Sequence, residues 1–107
     1  MISGDELEAT VMELIINAGE SKSYAMEALN AAKAGRWEDV DNLLASSLAA
    51  SKAAHKVQTA LIGMDEGEGK VPVNLIMVHA QDHIMTAMLA KDMIEELINI
   101  HRLLQAK

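Results

Sequence analysis

An all-α chain, three long helices running up, down and up, is what the 107 residues predict, and three observations predict it. Half of the residues are apolar, but that half is Ala, Leu, Ile, Val and eight Met, with only Tyr24 and Trp37 aromatic. Apolar positions recur at three- and four-residue steps. Two short segments, and only two, interrupt that rhythm, so one domain spanning residues 1–107 is expected.

The first helix is drawn from about Asp5 to Lys33, where Leu7, Val11, Leu14, Ala18, Ala25, Leu29 and Ala32 mark one side and Gly19 is a weak point. Lys33-Ala-Gly-Arg-Trp37 ends it, with Gly35 suited to the left-handed position just past a helix. The second helix runs from about Trp37 to Ile62. Gly63 to Pro72 then contains three glycines, the carboxylates Asp65, Glu66 and Glu68, and the only proline, and cannot continue it. A solvated, mobile loop is expected there. The third helix is expected from about Pro72, tolerated in a first turn because it need not donate its amide, to Ala106.

Composition excludes several functions. Without cysteine there is no disulfide scaffold, thiol nucleophile or Cys-based zinc site. A net charge of −7 argues against nucleic acid as a partner. No apolar run approaches the roughly 20 residues of a membrane span, and the amino-terminal residues lack the basic start and apolar core of a signal peptide, so a soluble, cytoplasmic chain without membrane insertion is expected.

Two helices carry polar residues on stripes that read as core. At about 100° per residue, Val40, Leu44, Ser47, Ser51, His55 and Ile62 share one side of the second helix, with Leu43, Ala54 and Gln58 at its edge. On the third, His79, Asp82, His83, Thr86, Met93, Leu97 and Leu104 share a side. Buried polar groups cost several kcal/mol unless partnered. Ser47 and Ser51 suit small packing positions, and His55 alone suits a hydrogen-bonded histidine between helices. His79-Ala-Gln-Asp-His83 sets two imidazoles one turn apart with a carboxylate between them, which fits a metal, proton transfer or a covalent intermediate on imidazole, as well as a polar core network. The third helix is also apolar around most of its circumference, through Leu75, Ile76, Val78, Ile84, Met85, Met88 and Leu89. Covering it from several directions needs more elements than one chain supplies, so a homo-oligomer with this helix near the symmetry axis is expected.

Named chemistries narrow the choice. A di-iron bundle needs Glu three residues before His, whereas Lys52, Ile76, Ala80 and Ile98 precede the four histidines by three. There is no H-E-x-x-H, G-x-S-x-G or G-x-x-x-x-G-K-[ST], so zinc proteases, serine hydrolases and P-loop NTPases lack support. A zinc site on His79 and His83 would need a ligand from elsewhere. His101 and Arg102, in the last turns, suit the helix dipole at a surface.

The run His79-Ala-Gln-Asp-His-Ile-Met-Thr-Ala-Met-Leu-Ala-Lys-Asp92 closely resembles the lactose/cellobiose class of enzyme IIA, a phosphoryl carrier of the bacterial sugar phosphotransferase system. Leu14-Ile-Ile-Asn-Ala-Gly19, Ala54-His-Lys-Val-Gln-Thr59 and Gly67-Glu-Gly-Lys70 resemble the family's first helix, second helix and the loop before its third. The resemblance implies that His79 takes a phosphoryl group from the carrier protein HPr and passes it to a cysteine of enzyme IIB. It also implies a homotrimer of three-helix subunits, a nine-helix bundle, with Asp82 at the axis able to hold a metal ion, Mg²⁺ being the hard cation such carboxylates suit. Neutral imidazole is a nucleophile near pH 7, and phosphoryl transfer is mainly alignment and charge stabilisation. His83, His55 and Gln58 are the candidate donors to the phosphoryl oxygens. Ala80 leans toward the cellobiose or diacetylchitobiose branch rather than the lactose branch. The other reading is a non-catalytic oligomeric helical protein that binds metal through His79, Asp82 and His83.

Overall fold

Ser3 accepts a hydrogen bond from the Glu6 amide (3.1 Å) and so starts helix α1, Gly4–Lys33, in the computed structural model, which describes residues 3–106. Gly35 follows in the predicted left-handed conformation, φ +76°, and the Gly35 and Arg36 amides close the helix end on the carbonyls of Ala32 (3.1 Å) and Ala31 (2.9 Å). Helix α2, Trp37–Asp65, runs three residues past the expected end and stops at Glu66, φ 54°. The loop beyond is tied back: Asp65 Oδ1 accepts the Val71 amide (3.0 Å), Lys70 pairs with Glu66, and the Val71 side chain is buried.

Helix α3 spans Leu75–Gln105, which corrects the expected start at Pro72. Two start signals compete here, and the asparagine wins: Asn74 is extended and its Oδ1 accepts the Met77 amide at 3.0 Å, satisfying a first-turn donor. Among the described residues there is no strand, and no helix is long and apolar enough to cross a membrane.

The three helices form a rod of 57 × 20 × 19 Å in which α1 lies in the middle. Both α2 and α3 pack along α1 and scarcely meet each other. The contact positions repeat every seven residues. On α1 they are Val11, Ala18, Ala25 and Ala32 with Leu14, Ser21 and Ala28; on α2, Val40, Ser47, Ala54 and Leu61. On α3 they are Met77, Ile84, Lys91 and Ile98 with Ala80, Ala87 and Ile94. A seven-residue repeat implies 3.5 residues per turn and a gentle left-handed supercoil.

That repeat keeps the near half of the expected α2 stripe, where Val40 and Ser47 are buried, and overturns its far half and the α3 stripe. A straight 100° count drifts about 20° per heptad from the true contact line. On α2 the line passes through Ala54 and Leu61, while His55 and Ile62, which the count put on the seam, are exposed. On α3 the expected seam is the outward face: Asp82, Thr86, Met93, Leu97 and Leu104 are all exposed, and α1 instead takes the face where Ala80 and Ala87 permit close approach. The apolar excess around α3 is therefore a second apolar face that the protomer does not cover. Ser47, by contrast, fits its reading as a small packing residue: fully buried, it donates to the Ser21 carbonyl at 2.7 Å.

Candidate functional site

The chemistry-bearing residues cluster in the first third of α3, and each is held by a different neighbour. His79 is exposed to solvent. His83, one turn on and half-buried, stacks beneath it with ring centroids 5.7 Å apart and 19° between planes. What seats His83 is a glycine on α1. A Cβ built at Gly19 would lie 3.3 Å from His83 Nε2, so the imidazole packs closely against the glycine and a side chain there would push it by a few tenths of an ångström.

Gln81 points the other way, toward α2. Its Nε2 donates to Gln58 Oε1 at 2.9 Å, the Gln58 Nε2 donates back to Gln81 Oε1, and Met77 Sδ lies 3.6 Å from the Gln81 amide. Within the protomer Gln58 therefore faces Gln81, not the His79 ring toward which a phosphoryl donor would reach. His55 sits on the exposed side of α2. Asp82 is exposed on the outward face of α3, and its carbonyl accepts the Thr86 hydroxyl at 2.9 Å. The structure thus brings together His79 with His83 and, separately, Gln58 with Gln81.

A groove of about 280 Å³ opens beside this region, between the end of α2 and the start of α3, floored by Leu61, Val71 and Met77 and edged by Ile62, Val73 and Val78. Gln58 and Gln81 line its near end, while His79 lies outside it.

A metal ligand set of His79, Asp82 and His83 does not form within one chain. Among the described residues no three His, Asp or Glu groups converge closely enough to hold an ion.

Sequence reasoning missed two contributors. Gly19 was visible as a helix-interior glycine, costly by up to about 1 kcal/mol relative to alanine and hence a flag for close approach. Gln81 lies inside the His79-to-His83 run, but nothing local says that its partner is 23 residues upstream.

An imidazole presented at the surface and backed by a second imidazole suits reversible attachment of a group. Comparison with known proteins identifies the family. The family model described as "PTS system, Lactose/Cellobiose specific IIA subunit" matches residues 9–102. The N,N'-diacetylchitobiose-specific EIIA component of Escherichia coli is 50% identical over 102 residues, covering 95% of this chain and 88% of that protein. The crystal structure of the cellobiose-specific enzyme IIA from Bacillus anthracis superposes with a TM-score of 0.90 at 34% identity, covering 100% of this chain and 96% of the other. The solution structure of the chitobiose IIA of Escherichia coli in complex with HPr matches with a TM-score of 0.81 at 49% identity, covering 94% and 97%. A chain matched in family, sequence and fold over nearly its whole length, with an outward-facing histidine at the site, belongs to the lactose/cellobiose-specific enzyme IIA family and is a phosphotransferase component of a sugar transport system.

Proposed function

We propose that His79 is the phosphoryl acceptor and that phospho-HPr is the donor. The observation that carries this reading is the exposed His79 ring stacked on His83 on the outward face of α3. A ring nitrogen of His79 attacks the phosphorus; the phosphorus–nitrogen bond in HPr breaks as a new one forms on His79. A cysteine thiolate of enzyme IIB then attacks the same phosphorus, the bond to His79 breaks and a sulfur–phosphorus bond forms. His83 is the group best placed to donate to the phosphoryl oxygens and to offset their charge. His55 joins such a set only where a neighbouring copy carries it toward His79, and His55→Ala leaving transfer unchanged removes it.

The same reading makes the chain a cytoplasmic homotrimer, nine helices in all, with the Asp82 side of α3 toward the axis and His79, about 60° around the helix from Asp82, in the cleft beside it. Support comes from the uncovered apolar residues of that face, Met93 (57% exposed), Leu97 (44%) and Leu104 (61%), too many for a face left in water. Three Asp82 carboxylates near one axis repel, and bound protons or a hard cation such as Mg²⁺ would relieve them. The sugar would be a β-linked disaccharide of the diacetylchitobiose or cellobiose type, which the 50% identity to a diacetylchitobiose component supports.

The test is incubation with phosphoenolpyruvate, enzyme I and HPr, followed by mass mapping. One phosphoryl group per chain on His79 is expected; a label on another residue, or none, overturns the reading. Retention of a stoichiometric metal without any label would instead support the metal-binding alternative.

A further inference from the structure

We infer that Gln58 is a positioning residue for phosphoryl transfer, acting on His79 through Gln81. The inference rests on the proposed role of His79. It starts from how little else connects α2 to α3: both helices pack on α1, and beside the site the reciprocal carboxamide pair of Gln58 and Gln81 is the hydrogen-bonded link between them.

The pair has the right geometry to set rotation. Both carboxamides are half-buried, and each uses its oxygen and one N–H on the other, so the two planes are fixed relative to each other. Gln81 lies two residues after His79 on the same helix, about 200° around the axis, so a pull on Gln81 toward α2 turns His79 outward. On the opposite flank His83 is seated against Gly19 of α1. The site segment of α3 is thus held from two sides by contacts of different kinds, and only the carboxamide pair is directional. Losing it leaves the first turns of α3 held by the non-directional packing of Met77, Ala80, Ile84 and Ala87 on α1, which resists a small roll less. A small roll matters, because a misplacement of about 1 Å at a reacting atom costs up to about 100-fold in rate.

The experiment measures single-turnover transfer from phospho-HPr to the full-length chain. Gln58→Met keeps the volume and removes the pair. The saturating rate is expected to fall about tenfold or more while the HPr concentration at half-maximal rate stays within about twofold. Gln58→Asn, one methylene too short to reach Gln81, is expected to match it. Gln58→Glu keeps the length and still accepts the Gln81 N–H, but sets a carboxylate oxygen against Gln81 Oε1, and is expected to recover only part of the rate. The ¹⁵N–¹H correlations of the His79 ring should move in Gln58→Met and return toward wild type in Gln58→Glu. If Gln58→Met does not fold, Gln58→Asn and Gln58→Glu carry the comparison. A wild type labelled on His79 together with variants of unchanged saturating rate, a loss confined to HPr affinity, or Gln58→Glu as slow as Gln58→Asn overturns the positioning role alone. An unlabelled wild type overturns the acceptor reading on which it stands.

Discussion

The two ends of the rod are built on opposite principles. At the end away from the site, all three helices interlock: the Gln105 amide donates to the Ala32 carbonyl (2.8 Å), the Trp37 indole N–H donates to Gln105 Oε1 (3.2 Å), and the Arg102 guanidinium lies 4.5 Å from the Trp37 ring. Beneath them Ala25, Ala28, Ala31 and Ala32 are fully buried, so the backbones approach closely. At the site end α2 and α3 splay around a groove, a long loop joins them, and one pair of carboxamides spans the gap. Cohesion is concentrated away from the histidine end, where the His79 ring stays exposed.

Breaking the site end itself gives the largest expected effect: His79→Ala should abolish phosphoryl labelling by phospho-HPr completely while circular dichroism and melting stay close to wild type, since the ring is exposed. Breaking the interlocked end should do the reverse. Trp37→Ala removes a half-buried indole, its hydrogen bond and its cation–π contact, and should cost about 2 kcal/mol of unfolding free energy, read by urea denaturation, with labelling at low temperature preserved.

Charge and its placement give smaller effects. Asp82→Leu should preserve or raise the stability of the oligomer, by about 1 kcal/mol or more, because replacing clustered charge with apolar groups is often neutral or stabilising. Sedimentation at decreasing concentration checks it, and an oligomer that dissociates contradicts the axial placement. Lys91 sits at a heptad contact position, 8% exposed, and reaches out to Glu95 Oε1 at 2.7 Å. A polar residue at such a position sets register at some expense of stability, so Lys91→Met should raise the urea midpoint by an amount equivalent to about 1 kcal/mol. Smallest of all, Gly19→Ala should gain up to about 1 kcal/mol of helix propensity and lose part of it to the 3.3 Å contact with His83. The net change in melting is expected to be a few tenths of a kcal/mol, while transfer slows because His83 is displaced.

What the sequence made legible divides along the same line. Helix existence, the Gly35 stop and the break after α2 were plain, because glycine, proline and apolar spacing act locally. The His79-to-His83 run was plain too. The facing of α1 was legible too, since its stripe of Val11, Leu14, Ala18, Ala25, Leu29 and Ala32 is buried, but that of α2 and α3 was not: a straight helical count sent His55 and Ile62 inward, when Ala54 and Leu61 keep the seven-residue line to α1. Supercoiling is a property of the pair of helices, so no single stripe displays it. Gln58 was picked out by its stripe, yet its partner Gln81 depends on how α2 and α3 splay, which is a tertiary outcome. Asn74 prevailed over Pro72 as the start of α3 for a reason that was local and readable, a cap acceptor three residues before Met77.

The uncovered side of α3 carries two well-exposed thioethers, Met85 (62% exposed) and Met93 (57%). Conversion to sulfoxide turns such side chains polar and chiral. A protomer meeting peroxide alone would have this surface roughened first and would lose its capacity to be covered, whereas one already enclosed would be shielded. Were this face covered in the proposed homotrimer, the order of assembly and oxidant exposure would decide how much of it is oxidised.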